Sequence, residues 1–334
     1  GAMAVSPEHV KGKILINIDN EEEGDLLVSC AGGVRSKFNL QANVEPLNEL
    51  SKVIEVSVKG LKGGHSGMEI IKERGNSNKI LGRILKDLSN NVDFRIVSLN
   101  GGSKDNAIPR EADAIIAINP NDLNNVKEIV ANWKEVLVND LRVQDPGVNV
   151  LVSEEVEQVT EAFDKISTIK AINLLVLIPN GIKTKSFSIE NLVQSSCNLG
   201  VVTTTNNNVQ YDSAVRSSVK TLKNAIIEES RTIAEIIGCE FRTVADYPEW
   251  EFNPESKVRE VFKDVYKRMY GKDANIVAIH AGVECGILSE NLGGLDMISF
   301  GPNMYDVHTP EEHLSIKSVS NMWDYLKEVL KELK

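Results

Sequence analysis

The chain has 334 residues, of which 42% are hydrophobic and 25% charged, so we expect about two folded domains rather than a disordered or fibrous protein. Its formal net charge of -11 at pH 7 disfavours nucleic acid and anionic membrane surfaces as partners, because both reward a basic patch. No apolar run approaches the roughly 20 residues that span a bilayer. Small molecules and other proteins remain as partners.

The cysteines and the first residues indicate the cellular compartment in which we expect the protein. The cysteines are widely separated and lack Cys-x-x-Cys spacing, which favours neither a thiolate zinc site nor a disulfide framework. They are Cys30, Cys197, Cys239 and Cys285. We therefore expect a reducing, cytoplasmic location. We also expect residues 1–4 to be the remnant of a cleaved tag rather than part of a signal peptide.

The first predicted strand covers residues 13–18 and runs into a turn-rich acidic segment at 19–24. Asp19 therefore follows the carboxyl end of a strand, where α/β sheets often place ligand-binding groups. A carboxylate that caps the turn is an equally good interpretation of this position.

Residues 51–152 predict the order β-α-β-β-α-β. Ile54, Val56 and Val58 alternate with polar residues, as in a half-buried strand. Asn76 or Ser77 is placed to cap the following helix, which has one apolar face. Strands are then predicted at 94–99, 114–118 and 148–152, with a second amphipathic helix over 126–137.

A similar pattern follows in residues 160–238. Thr160 and Glu161 are expected to begin a helix with four apolar positions. These are Phe163, Ile166, Ile169 and Ile172. Strands are predicted at 192–196, 200–204 and 209–215, before a helix from about 218 that ends in a left-handed cap at Gly238. Two such halves in tandem suggest a duplicated ferredoxin-like layer.

A proline-marked junction at residues 246–254 is typical of an interdomain hinge. Beyond it, a helix near 258–265, strands at 276–279 and 297–300, and a terminal helix indicate an α/β unit that must complete a sheet with other strands. The terminal helix has an apolar stripe that predicts core packing. The stripe comprises Ile316, Val319, Met322, Trp323, Leu326, Val329 and Leu330.

Three of the five histidines lie at or after strand ends. His65 lies in the glycine-rich segment 60–67 and could donate to a developing oxyanion, although a solvated histidine in a turn also fits. His308 is a candidate metal ligand or a capping residue. His280 ends an apolar strand, where a half-buried structural histidine is the alternative. His9 and His313 receive no assignment.

Asn106 and Arg216 are further candidates for substrate binding. The planar guanidinium of arginine suits a substrate carboxylate, whereas a surface charge or a structural ion pair is the alternative interpretation. The sequence contains no phosphate-binding glycine loop, nucleophile elbow or His-Glu-x-x-His motif.

Together, several segments resemble the Xaa-His dipeptidases, also called aminoacyl-histidine or carnosinase-like dipeptidases, of the di-zinc aminoacylase and carboxypeptidase superfamily. The matching segments run nearly end to end and comprise residues 17–23, 30–33, 60–67, 106–111, 215–218, 280–286, and 300–302 with His308. The resemblance implies an α/β catalytic domain, here incomplete, with an inserted α+β lid domain of two ferredoxin-like halves. It assigns residues 1–34 and 251–334 to the catalytic domain and 35–250 to the lid.

The resemblance also implies roles for individual residues. Asp19 and His308 resemble ligands of the two zinc ions. His65 resembles the lid histidine that stabilises the tetrahedral intermediate. Asn106 and Arg216 resemble lid residues that hold a small peptide substrate, with Arg216 suited to its C-terminal carboxylate. His280 lies near the substrate in the family pattern.

The sequence departs from the family at its start, where the His-x-Asp motif, the bridging Asp and the Glu-Glu pair that precede the Asp19 segment are not found. Zinc that activates water needs about three protein ligands, so Asp19 and His308 alone cannot rebuild a two-zinc centre. We therefore expect an intact parent that hydrolyses Xaa-His dipeptides, and a truncated chain that is inactive alone. A homodimer is possible.

Two alternatives remain at this point. The chain could be a non-catalytic module that uses a lid-like domain for peptide binding or dimerisation. Within enzymes, it could belong to a related di-zinc tripeptidase or aminoacylase.

Overall fold

In the computed structural model, which describes residues 1–157 and 159–334, the chain forms two main sheets with helices packed on them. The strands are β1 (Ile14–Asn17), β2 (Asp25–Cys30), β3 (Gly32–Gln41), β4 (Val44–Pro46), β5 (Lys52–Lys59), β6 (Gly64–His65), β7 (Phe94–Gly101), β8 (Ala107–Ile108), β9 (Ala112–Ile118), β10 (Asn149–Ser153), β11 (Glu161–Phe163), β12 (Gly181–Lys185), β13 (Val193–Thr205), β14 (Asn208–Ser217), β15 (Glu240–Tyr247), β16 (Asn275–Ile279), β17 (Asp296–Ser299), β18 (Met304–Tyr305) and β19 (His313–Leu314). The helices are α1 (Ser77–Asn91), α2 (Leu123–Asp140), α3 (Lys165–Leu177), α4 (Lys220–Ile237), α5 (Lys257–Tyr270), α6 (Glu284–Leu292) and α7 (Ile316–Glu332).

The larger sheet is antiparallel and consists of two ferredoxin-like units placed edge to edge. Its order is β10-β5-β9-β7-β13-β14-β3-β15, with β12 beside β13. In each unit the first and third strands are central, and the second and fourth lie at the ends. The first unit contains β5, α1, β7, β9, α2 and β10, and the second contains β3, α3, β13, β14, α4 and β15.

The two units are nested, so the predicted tandem arrangement is wrong. The first strand of the second unit, β3, precedes the whole first unit in the chain and pairs with the distant strands β14 and β15. A nested order of this kind depends on long-range pairing, which local periodicity does not reveal.

The start of α3 also differs from the prediction. Residues 161–163 form β11, which pairs with β4, and α3 begins at Lys165 with the side chain of Asp164 as its cap. Ile166 and Ile169 are exposed, whereas Leu174 is buried. Because α3 is apolar on several sides, its sequence did not specify which face packs inward. By contrast, the predicted cap Asn76 of α1 is confirmed.

Two further segments differ from the prediction. The strands expected at 192–196 and 200–204 form one long strand, β13, with an irregularity beside Gly200. Gly200 packs against the backbone of Asp105, and a side chain at this position would lie 2.6 Å from its carbonyl oxygen. The proline-marked junction begins within β15, whose last residue is Tyr247.

The smaller sheet has the order β1-β17-β2-β16 and carries helices on both faces. Leu26 and Ile298 pack with residues of α5 and α7, and the alternate residues Leu27 and Met297 pack beside α6. The predicted core stripe of α7 is only half buried. Met322, Leu326 and Val329 join the core, whereas Ile316, Trp323 and Leu330 are exposed. No helix within residues 1–157 and 159–334 is both long and apolar enough to cross a bilayer.

Candidate functional site

A row of four residues crosses four neighbouring strands of the larger sheet. Ser196 on β13 pairs with Arg216 on β14, Arg216 pairs with Gly33 on β3, and Gly33 pairs with Tyr247 on β15. Paired residues of antiparallel strands share one face of a sheet. Because the alternate residue Val215 packs with α4, this row lies on the face opposite the helices.

Arg216 is buried within this row, which excludes the interpretation as a surface charge. Only 5% of the residue is exposed, and its Nη1 donates a 2.9 Å hydrogen bond to the Tyr247 hydroxyl. Its Nε has no acceptor in the part of the chain that the structure describes. Burial lowers the pKa of the guanidinium, while the nearby Tyr247 opposes that effect. A buried cation with an unused donor is suited to an anionic ligand.

His65 is held in one tautomer by its own loop. The backbone N–H groups of Met68 and Gly67 donate to Nδ1 at 3.0 and 3.3 Å, so in the neutral imidazole the proton is on Nε2. Partial burial, and then the charge of Arg216, lower the pKa of His65. The ring is therefore a neutral hydrogen-bond donor through Nε2 near pH 7.

The glycine-rich loop that carries His65 is supported by buried polar contacts. The carboxylate of Asp145 accepts hydrogen bonds from the backbone of Lys62 and Gly75, both at 2.7 Å. The side chain of Arg74 donates to the carbonyl of Gly63. These contacts fix the loop on both sides of His65.

His280 reaches the same place from the smaller sheet, just after β16. It is 6% exposed, and its Nε2 lies 2.7 Å from the hydroxyl of Ser196. Burial, and then the charge of Arg216, lower the pKa of His280 to about 3, so the ring is neutral. Its Nδ1 has no partner within the described residues.

The structure brings His65, Arg216 and His280 together at Gly67. A side chain at position 67 would lie 3.1 Å from both Arg216 Nε and His65 Cε1, and would meet the carbonyl of His280. Asn106 lies beside this group, because its carbonyl accepts the N–H of Ser66 at 2.9 Å. Four of the sequence-predicted residues thus occupy one region at the junction of the two sheets.

Asp19 and His308 lie in exposed loops. The N–H of Asp19 donates to the side chain of Asn17 at 3.0 Å, and Asn17 in turn donates to Glu284 at the start of α6 at 3.2 Å. His308 follows β18, with its N–H bonded to Glu312. Among residues 1–157 and 159–334, no three or more His, Cys, Asp or Glu side chains are grouped to hold a metal. The two residues have suitable donor atoms but do not form a complete ligand set.

Comparison with known proteins places the chain in a family. The profile of the peptidase dimerisation domain of M20 peptidases matches residues 56–144. The chain is 35% identical over 333 residues to the cytosol non-specific dipeptidase of Escherichia coli (strain K12), covering 100% of this chain and 68% of that protein. It belongs to the aminoacylhistidine dipeptidase family of M20 metallopeptidases.

The fold agrees with this membership. The crystal structure of the aminoacylhistidine dipeptidase from Vibrio alginolyticus matches this M20 chain with a TM-score of 0.96 at 33% identity. The match covers 99% of this chain and 68% of that protein. The resemblance inferred from the sequence motifs is thereby confirmed.

Proposed function

We propose that this chain forms the lid and the closing part of the catalytic domain of a cytoplasmic zinc dipeptidase that cleaves Xaa-His dipeptides. Residues 35–250 would form the lid, with 1–34 and 251–334 in the catalytic domain. The observation that carries the proposal is the convergence of His65, Arg216 and His280 on Gly67, where the two sheets meet. The names of the two relatives support dipeptides as substrates, and that of the Vibrio alginolyticus protein supports the Xaa-His class.

We propose a role for each residue of the group that is compatible with its geometry. The buried guanidinium of Arg216 binds the C-terminal carboxylate of the dipeptide. The Nε2–H of His65 donates to the oxyanion that develops when water attacks the scissile carbonyl, and a neutral ring does so without moving a proton. Asn106 and the buried His280 adjoin these two residues and orient the substrate.

Asp19 and His308 are proposed as zinc ligands, and bound zinc supplies an activated water. Two zinc ions need about three protein ligands each, so we propose that the remaining ligands lie outside this chain. The longer protein that contains them is the complete enzyme. The chain alone is proposed to bind dipeptides without hydrolysing them.

Replacement of His65 tests the proposed function. In the complete enzyme, His65→Phe is expected to lower kcat about 100-fold to 1000-fold with little change in KM, because it removes an oxyanion donor. His9→Phe is the matched control, since His9 is exposed near the start of the chain. An unchanged kcat with a raised KM would instead indicate that His65 only binds substrate.

The match to a dimerisation domain supports a homodimer as the second part of the proposal. Sedimentation velocity of the complete enzyme is expected to give twice the mass of one chain across micromolar concentrations. A monomer throughout that range would contradict this part and leave the proposed hydrolysis untouched.

A further inference from the structure

The hydrogen bond between Tyr247 and Arg216 spans an intervening strand. Tyr247 lies on β15 and Arg216 on β14, and β3 runs between them. Neighbouring strands are about 4.8 Å apart, so the two side chains bridge about twice that distance. The bridge passes over Gly33, where a side chain would lie 2.6 Å from Cζ of Tyr247 and would meet its hydroxyl. Gly33 therefore leaves the gap that this contact needs.

The hydrogen bond to Tyr247 uses one side of the Arg216 guanidinium and leaves the donors on another side. It uses Nη1 and leaves the edge formed by Nε and Nη2. That edge presents two parallel N–H groups, which match the two oxygens of a carboxylate. Nε is buried and has no acceptor among the described residues, so its donor is available for a ligand.

We propose that Tyr247 is a positioning residue that commits Arg216 to side-on, bidentate recognition of a peptide's free C-terminal carboxylate. This inference rests on the proposed role of Arg216 in substrate binding. The substrate class is thereby narrowed to peptides with a free carboxyl end, and peptide amides are disfavoured. A side chain at Gly67 would lie 3.1 Å from Nε, so the glycine at this position leaves room for a carboxylate at this edge.

The backbone around Tyr247 is arranged to aim its ring. The register of β15 against β3 is irregular between Val244 and Tyr247, and Ala245 adopts a left-handed conformation with φ of 53°. An irregularity of this kind redirects the side chain that follows it, and a left-handed alanine is strained. On its other side, the ring packs against Gly282 of the smaller sheet's loop, 2.6 Å from where a side chain would begin.

A buried lysine fixes the same segment. Lys223 on α4 contacts the carboxylates of Asp246 and Glu249 at 2.8 and 2.9 Å, and it donates to the carbonyl of Tyr247 at 3.2 Å. The Lys223 and Glu249 side chains are 4% and 8% exposed, so this ion pair is shielded from solvent. Its contacts on both sides of Tyr247 account for how the strained backbone is maintained.

The test compares alanyl-histidine with its C-terminal amide in the complete enzyme. For Tyr247→Phe, KM for the acid is expected to rise about fivefold to tenfold, the effect of losing one hydrogen bond to a charged group, while kcat changes less than about twofold. The amide is expected to be cleaved as by the unmodified enzyme. Gly33→Ala, which displaces the ring by a different route, is expected to show the same selective loss.

Tyr270→Phe is the matched control, because its hydroxyl also makes one hydrogen bond, donated to the carbonyl of Asn321, but lies beside the smaller sheet, away from Arg216. It should leave both substrates unaffected. Equal losses with acid and amide in Tyr247→Phe would overturn the inference, since they indicate a general structural role. Arg216→Gln distinguishes a failure of the proposed role of Arg216 from a failure of the inference about Tyr247. If Arg216→Gln still discriminates acid from amide, the proposed role of Arg216 fails. If Arg216→Gln loses the preference for the acid but Tyr247→Phe keeps it in full, the proposed role of Arg216 stands and only the role of Tyr247 fails.

Discussion

His280 is a titratable group whose ionisation the fold strongly opposes. Burial lowers its pKa from 6.5 to about 3, so between these values the unfolded chain binds a proton that the folded chain does not. Its contribution to stability is therefore complete above about pH 6.5 and is lost as the pH falls towards 3. The expected loss is about 1.4 kcal/mol per pH unit in the middle of that range.

Urea unfolding at several pH values measures this effect. The unmodified chain should lose free energy of unfolding between pH 6 and 4 more steeply than His280→Gln, which has no proton to bind. His9→Gln should behave like the unmodified chain, because His9 is exposed. Parallel pH curves for the unmodified chain and His280→Gln would show that His280 is not kept neutral by burial.

At the level of single residues, the sequence singled out part of the candidate site. His65 and His280 stood out because each lies at or just after a strand end, in irregular or glycine-rich chain. Tyr247 and Ser196 were missed, because the partner of Tyr247 lies on another strand and that of Ser196 follows a strand of the smaller sheet. One local signal was available for Tyr247, since it lies in the proline-marked segment that connects the larger sheet to α5.

At the scale of elements, the loop before α1 depends on Asp145. Asp145→Ala leaves the N–H groups of Lys62 and Gly75 without their acceptor, so the free energy of unfolding is expected to fall by about 2–3 kcal/mol. In the complete enzyme, kcat should fall more than KM rises, because the loop positions His65. Denaturant unfolding and steady-state kinetics measure the two effects.

Asp140→Ala is the control for this substitution. Asp140 is exposed at the end of α2 and lies 3.8 Å from Arg83, so its removal should cost less than about 0.5 kcal/mol. If Asp145→Ala is no more destabilising than Asp140→Ala, Asp145 does not hold the loop.

Helices were predicted more successfully than strand pairing. The apolar periodicities of α1, α2 and α4 placed these helices within a few residues of their observed bounds. The long strand β3 was not predicted, although Val34, Phe38 and Leu40 alternate with polar residues and are buried. Its charged outer face and its distant partners make such a strand hard to recognise from local sequence.

In the molecule as a whole, the candidate site lies where the larger and the smaller sheet, each with its own core, meet. The larger sheet supplies Arg216, the small β6-β8 sheet supplies His65, with Asn106 just before β8, and the loop after β16 supplies His280. The nested order of the two ferredoxin-like units brings Gly33, from early in the chain, beside Arg216 and Tyr247. Sequence motifs identified the family and most of these residues, but not the contacts that join them.

We propose that this chain recognises dipeptides but needs metal ligands from outside itself for hydrolysis. The most direct test of this proposal is alanyl-histidine turnover by the chain alone with added zinc or cobalt, beside the complete enzyme, with binding measured by calorimetry. We expect metal-dependent turnover by the complete enzyme only, and binding by the chain that Arg216→Gln weakens. Substantial metal-dependent turnover by the chain alone would contradict the account.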